Sequence, residues 1–199
     1  MSRKLIEKRL VIASHNEGKI REIKALLEPF GIDVVSSKEL SLIEPEETGE
    51  TYLENALIKA KACSLATGLP AISDDSGVEV SALNNQPGVH TAPYTKEHGG
   101  LARVFELWAS DENILKNHRA SFVCVQVLWW PDGHFESFES RISGKLTFPP
   151  RGTGGHGYDP VFVPDGHEKT IAQMSLLEKN TCSHRFLSTL KLIEACITA

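Results

Sequence analysis

The chain has 199 residues, 41% of them hydrophobic and 24% charged, with a net charge of −5. That is long enough for one hydrophobic core with a small extra lobe, and the acidic balance excludes bulk coating of nucleic acid while still allowing a local anion pocket. No apolar run approaches the roughly 20 residues of a membrane span, and "MSRKLIEKRLVIAS" lacks a signal peptide's apolar core, so the expectation is a cytoplasmic protein with no membrane or nucleic-acid partner.

"RLVIAS" reads as a short buried strand. "GKIREIKALLEPFG" reads as an amphipathic helix with Ile20, Ile23, Leu26, Leu27 and Phe30 on one face and Gly31 at its end. "IDVVSS" is the next strand, so the chain opens as an α/β fold. After the acidic loop "SLIEPEETGE", Thr51 and Glu54 form a T-x-x-E capping box for a helix running to Gly68. "LPAIS" predicts a third strand with "SDDSG" at its C-terminal end, the usual ligand edge of an open α/β sheet. "VEVSAL" alternates like a half-exposed strand and ends at the turn "NNQPG". "LARVFELW" reads as a helix. "RASFVCVQVLWW" reads as a central strand, turned by "PDG" into "HFESFESRISG", a hairpin that makes the sheet mixed. "VFVP" follows a Gly/Pro-rich loop. Ser175 and Glu178 form a second capping box, before a last helix with Leu187, Leu190, Ile193 and Ile197 on one stripe. No linker separates independent domains, so residues 1–199 read as one domain.

Cys63, Cys124, Cys182 and Cys196 include no C-x-x-C pair and read as reduced thiols, and the eight histidines form no H-E-x-x-H. Five short segments carry chemistry. "SHNEGK", Ser14 to Lys19, joins a strand to a helix N-terminus. It suits either a phosphate, through free N–H groups and the lysine, or an ordinary capping turn. Glu46 and Glu47 form an acidic pair fit for a solvated loop or a share of a hard-cation site. In "SDDSG", adjacent Asp74 and Asp75 fit a turn or a metal and general-base site about equally, with Ser76 as a hydroxyl donor. "GTGGHG" matches G-x-G-x-x-G but is not a dinucleotide fingerprint, because no clean strand precedes it and Pro160 blocks the helix that should follow. "SHR", near Lys179, offers donors for phosphate or a base carbonyl.

In this order the segments resemble the inosine/xanthosine triphosphate pyrophosphatase family (ITPase-like). The likeness runs from "VIASHNEGKIREIKALL" through "EETGETYLENALIKAKA", "LPAISDDSGVEVSALNNQPGVHTAPY" and "GTGGHGYDPVFVP" to "EKNTCSHRFLSTLKLI", and is weakest over residues 95–119. The resemblance implies a long, curved mixed β-sheet flanked by helices, two lobes around a central substrate cleft, and a homodimer. It implies Mg²⁺-dependent hydrolysis of ITP, dITP and XTP to the monophosphate and pyrophosphate, cleansing the nucleotide pool. By residue it implies a substrate-binding turn at Ser14, His15, Asn16, Glu17, Gly18 and Lys19, with Asn16 and Lys19 on the phosphates. Glu46 is the best match to the acidic metal ligand, with Glu47 the near alternative. Lys59 faces phosphate. Asp75 is metal ligand and proton acceptor, supported by Asp74, and Ser76 touches substrate. His156, Gly157, Tyr158, Asp159, Lys179, His184 and Arg185 match nucleobase-reading positions. The chain departs from the family at His156, usually Phe, and at Pro93, often basic. The competing readings are a Maf-like pyrophosphatase on pyrimidine or modified nucleotides, and a nucleotide-binding module without turnover.

Overall fold

The structure is a computed structural model and describes residues 2–198. Seven strands form one mixed sheet in the order β2-β1-β3-β5-β6-β7, with β4 paired to β3. The strands are β1 (Arg9–Ile12), β2 (Asp33–Ser36), β3 (Ala71–Val80), β4 (Gln86–Pro87), β5 (Arg119–Trp129), β6 (Phe135–Leu146) and β7 (Phe162–Pro164). The helices are α1 (Glu17–Leu27), α2 (Tyr52–Thr67), α3 (Thr91–Glu97), α4 (Leu101–Ser110), α5 (Glu112–Lys116), α6 (Leu176–Cys182) and α7 (His184–Leu192). β1 pairs in parallel with β2 and β3, whereas β3–β4 and β6–β7 are antiparallel. No described helix is long and apolar enough to cross a membrane.

The chain divides into two compact units. The first holds residues up to Asp75, Cys124–Ser140 and the chain from Arg185 onward. Its logic follows from strand alternation, which sends successive side chains to opposite faces. Leu10, Ile12, Ile72, Leu128 and Trp130 pack with Ile20, Ile23 and Leu27 of α1 and with Leu192, Ile193 and Cys196 after α7. On the other face, Val11, Ala13, Ala71, Val125 and Val127 pack with Ala56, Ala60 and Cys63 of α2. A helix lies on each side of the strands because both faces are apolar. The second unit holds Ser76–Val123 and Arg141–His184. Its core is aromatic: Phe122 stacks on Phe162 at 4.0 Å, and Trp108 and Phe105 flank Tyr158. All four cysteines are free and buried.

Three sequence expectations are corrected here. β3 does not stop before "SDDSG" but runs through it, from Ala71 to Val80. Phe30 leaves the apolar face of α1, because the helix tightens into a 3-10 turn at Glu28–Phe30 before Gly31 (φ 66°) closes it. The last helix is two helices broken at Ser183, and α7 continues as a π-turn over Ile193–Ile197. Its buried face carries Ser188, Thr189, Leu192, Ile193 and Cys196, while Leu190 is exposed. The two hydroxyls are affordable inside because both donate to the Arg185 carbonyl.

The predicted capping box at α2 is formed: Thr51 Oγ1 accepts from Glu54 N, and Glu54 Oε2 accepts from Thr51 N and Glu50 N. Thr51→Ala is expected to lower the unfolding free energy by about 1 kcal/mol, read as a shifted urea midpoint, while Thr51→Ser stays near the parent protein.

Candidate active site

The two adjacent aspartates are inside a strand, so they point to opposite faces. Asp74 shares its face with Ile72, toward α1 and α7. Asp75 shares its face with Ser73, whose hydroxyl donates to the Ala56 carbonyl of α2 at 2.6 Å. Local sequence thus resolves the repulsion between neighbours by separating them, and each then meets its own cations.

Asp74 is 2% exposed. Its Oδ2 lies 2.8 Å from Lys19 Nζ and 3.3 Å from Arg185 Nε, and accepts from Cys124 Sγ at 3.8 Å. Arg185 also reaches Glu22 of α1, at 2.9 Å. Burial alone would raise the pKa of Asp74, but Lys19, Arg185 and Lys59 outweigh it and hold the carboxyl well below the usual range. Burial, together with the Asp74 charge, pushes the Cys124 thiol up to about 12, so it stays protonated. Asp74 Oδ1 is buried without a hydrogen-bond partner among the described residues.

Asp75 has a different environment. Asn55 Nδ2 donates to its Oδ2 at 3.3 Å, and Lys59 Nζ lies 3.7 Å from Oδ1. Asn55 and Lys59 stand four residues apart on α2, so one helix face presents both. Burial raises the pKa of Asp75; Lys59 opposes this and Glu47 adds to it. For Lys59, burial works against the charge, but Asp75, Asp74 and Glu47 together raise its pKa, so it remains a cation. One strand therefore carries a firmly ionised carboxylate beside one whose proton is held more tightly than usual.

The acidic loop is drawn in by its glycine. Gly49 N donates to Asn55 Oδ1 at 2.7 Å, and a Cβ on Gly49 would meet Glu54 Cβ at 2.6 Å and that same Oδ1 at 2.7 Å. Behind it, Glu47 Oε1 accepts from Lys59 Nζ, so Glu47 and Asp75 share one ammonium. Glu46 is exposed and forms no ion pair among the described residues. No group of three or more His, Cys, Asp or Glu side chains converges as a protein-only metal cage among those residues. An all-oxygen pair bridged by a cation nevertheless suits a hard divalent ion such as Mg²⁺, which takes one or two carboxylates and completes its shell with water and phosphate oxygens.

The turn after β1 is a helix cap. Asn16 Oδ1 accepts from Gly18 N at 3.0 Å and Lys19 N at 3.2 Å, so these donors meet the chain's own side chain. Asn16 N donates to the buried Ser14 Oγ, His15 Nε2 is buried without a partner among the described residues, and Glu17 pairs with Lys38.

In the second unit, Ser76 follows Asp75 along β3. The loop Gly152–Asp159 folds against the 3-10 turn Ile171–Gln173, with Gly154 N donating to Ala172 O at 3.0 Å. Gly152 has φ 87°, and a Cβ there would meet the Ala172 and Gln173 backbone at 2.5–2.7 Å. Gly155, at φ 71°, leaves no room for a Cβ beside the Asp159 carboxylate. Asp159 Oδ2 accepts from His156 N at 2.9 Å and from Lys179 Nζ of α6 at 3.2 Å. His156 and Gly157 are part-exposed, whereas Tyr158 and Asp159 are buried. His184 packs edge-on against Phe122, 5.1 Å between centroids. The adjacent "HR" pair is thus divided: His184 serves the aromatic core of the second unit, and Arg185 the Asp74 cluster of the first.

Sequence reasoning missed Asn55, Glu22 and Cys124 as neighbours of the aspartates. Only Asn55 left a signal, its i,i+4 spacing from Lys59 on a capped helix.

Residues 10–195 match the Ham1 family. The chain is 45% identical over 192 residues to the dITP/XTP pyrophosphatase of Ruegeria pomeroyi, covering 94% of each. It is 48% identical over 192 residues to the dITP/XTP pyrophosphatase of Rhodospirillum centenum, again covering 94% of each. Among solved structures it is similar to a HAM1 protein from Coxiella burnetii, with TM-score 0.81, 36% identity and coverage of 94% of this chain and 96% of that one. The Ham1 protein of Staphylococcus aureus aligns at TM-score 0.81 and 36% identity, covering 94% and 97%. The helix-flanked mixed sheet is therefore the ITPase-like α/β fold.

Because the folded pKa of Asp74 lies below its ordinary 3.8, its stabilisation is fully present above that value and is lost as pH falls toward the folded one. Asp74→Asn leaves Lys19 and Arg185 without their shared anion, so an unfolding free energy lower by about 3–5 kcal/mol is expected at pH 7. The gap to the parent protein should shrink below pH 3.8, as denaturant titrations at pH 7, 5 and 3 would show.

Proposed function

The chain belongs to the Ham1 family, and we propose that it hydrolyses non-standard purine nucleoside triphosphates, ITP, dITP and XTP, to the monophosphate and pyrophosphate. One observation carries the assignment of roles: on β3, Asp74 is locked between Lys19 and Arg185, whereas adjacent Asp75 faces Asn55 and the Lys59 that it shares with Glu47, an arrangement that shifts the two carboxyls in opposite directions. Pairs of carboxyls pushed apart in this way mark an acid–base division of labour.

In the proposed mechanism Asp75 is the base. A carboxylate of raised pKa accepts a proton more readily than an ordinary one. Water loses its proton to Asp75 as its oxygen bonds to the α-phosphorus, and the bond to the bridging oxygen breaks, releasing pyrophosphate. Lys59 and Lys19 neutralise phosphate charge, and Asn55 orients the Asp75 carboxylate. Asp75 and Glu47 would hold Mg²⁺, with Glu46 as the neighbouring alternative. When bound, the ion supplies charge neutralisation on the triphosphate and the leaving group. Ser14 to Lys19 and Ser76 belong to the substrate-binding set. His156, Gly157, Tyr158, Asp159, Lys179, His184 and Arg185 form the nucleobase-reading set, in which hydrogen bonds to the 6-oxo edge would leave buried groups unpaired against adenine. Mg²⁺ dependence, a homodimer and a cytoplasmic location complete the proposal.

A pyrophosphate-release panel with Mg²⁺ tests it. ITP, dITP and XTP should be turned over well above GTP, ATP and UTP; equal rates on ATP would remove the specificity, and a preference for UTP would favour the Maf-like reading. Asp75→Asn should lower kcat by about 10²-fold or more while remaining folded. Burial disfavours the Asp75 charge, so this variant is expected to be no less stable at pH 7. Glu47→Gln should cost far more activity than Glu46→Gln, and the reverse order would move the metal to Glu46.

A further inference from the structure

In the loop Gly152–Asp159 the stretch 152–155 is exposed and His156 and Gly157 are half-buried, whereas its last two side chains are buried inside the second unit. Asp159 is held by Lys179 and by the His156 N–H. Tyr158 is held on its other side by residues outside every motif singled out in the sequence. Its ring lies between Trp108, centroids 5.1 Å apart, and Phe105, edge-on at 5.7 Å. Its hydroxyl lies 2.7 Å from Thr95 Oγ1.

The direction of that hydrogen bond follows by elimination. Thr95 has one hydroxyl hydrogen, and it goes to the Thr91 carbonyl at 2.7 Å. Tyr158 must therefore donate, with Thr95 accepting. Thr91 in turn accepts from Val78 N of β3 at 3.0 Å through its own Oγ1. A chain of hydrogen bonds thus runs from β3 through α3 to the loop. The Thr95 hydroxyl is the link that meets the loop, and without it a buried Tyr158 O–H loses its acceptor.

We propose that Thr95 is a positioning residue for nucleobase recognition, fixing through Tyr158 the backbone that carries His156 and Gly157. The inference rests on the reading that this loop meets the nucleobase. Thr95 acts on where the loop sits and not on the reacting phosphorus, so its loss weakens binding and leaves the chemical step alone.

The test is steady-state pyrophosphate release by Thr95→Val, with Thr95→Ser as the rescue that keeps the hydroxyl. Thr95→Val is expected to raise KM for XTP and dITP about fivefold, the factor for one net hydrogen bond, with kcat within about twofold. The preference for XTP over GTP should fall by a similar factor, and Thr95→Ser should restore both. If Thr95→Val does not fold, Tyr158→Phe removes the donor from the same bond and should give the same KM increase. Wild-type KM and base preference in either variant, or a loss that Thr95→Ser fails to restore, overturns the inference. A parent protein that releases no pyrophosphate from any purine triphosphate instead removes the reading beneath it.

Discussion

The structure turns on the ion pairs of Asp74 with Lys19 and Arg185. Without them a fully buried carboxylate in the middle of the sheet would be untenable, since the cost of desolvating an ion far exceeds a typical core contact. With them, one side chain joins the turn after β1, through Lys19, to the start of α7, through Arg185, and Glu22 closes the loop from α1. These elements are far apart in sequence, so the cluster fixes which cations can stand near the strand's other carboxylate.

That other carboxylate gains its chemistry from contrast. Asp75 is separated from Asp74 by the pleat, shares Lys59 with Glu47, and is governed by burial where Asp74 is governed by cations. Both aspartates are thereby explained by the strand that carries them. Alternation lets one neighbour be an anchor and the other a reactive group within a single residue step.

Much of the architecture was legible. Periodicity placed α1, the T-x-x-E box placed α2, and the long apolar run with "PDG" placed the β5–β6 hairpin. β3 was misread at its most informative point, because Asp, Ser and Gly favour turns over strands. The strand persists since tertiary partners on both faces satisfy the very groups that make it locally poor, and nothing in the local pattern announces Lys19 or Arg185. The stripe on α7 was misplaced for a similar reason: Ser188 and Thr189 look solvent-facing until the Arg185 carbonyl supplies their partner. Thr95, Phe105 and Trp108, which hold Tyr158, fall where the family likeness is weakest, so they carried no motif to flag them.

The claim on which all this depends is that the two aspartates differ in their hold on the proton. Site-resolved ¹³C NMR titration of the Asp74 and Asp75 carboxyls in the full, metal-free chain measures it directly. The account predicts that Asp74 stays ionised throughout the pH range in which the protein remains folded, and that Asp75 titrates above the ordinary carboxylate value of 3.8. Two carboxyls titrating together near that value, or Asp75 ionising before Asp74, would contradict it.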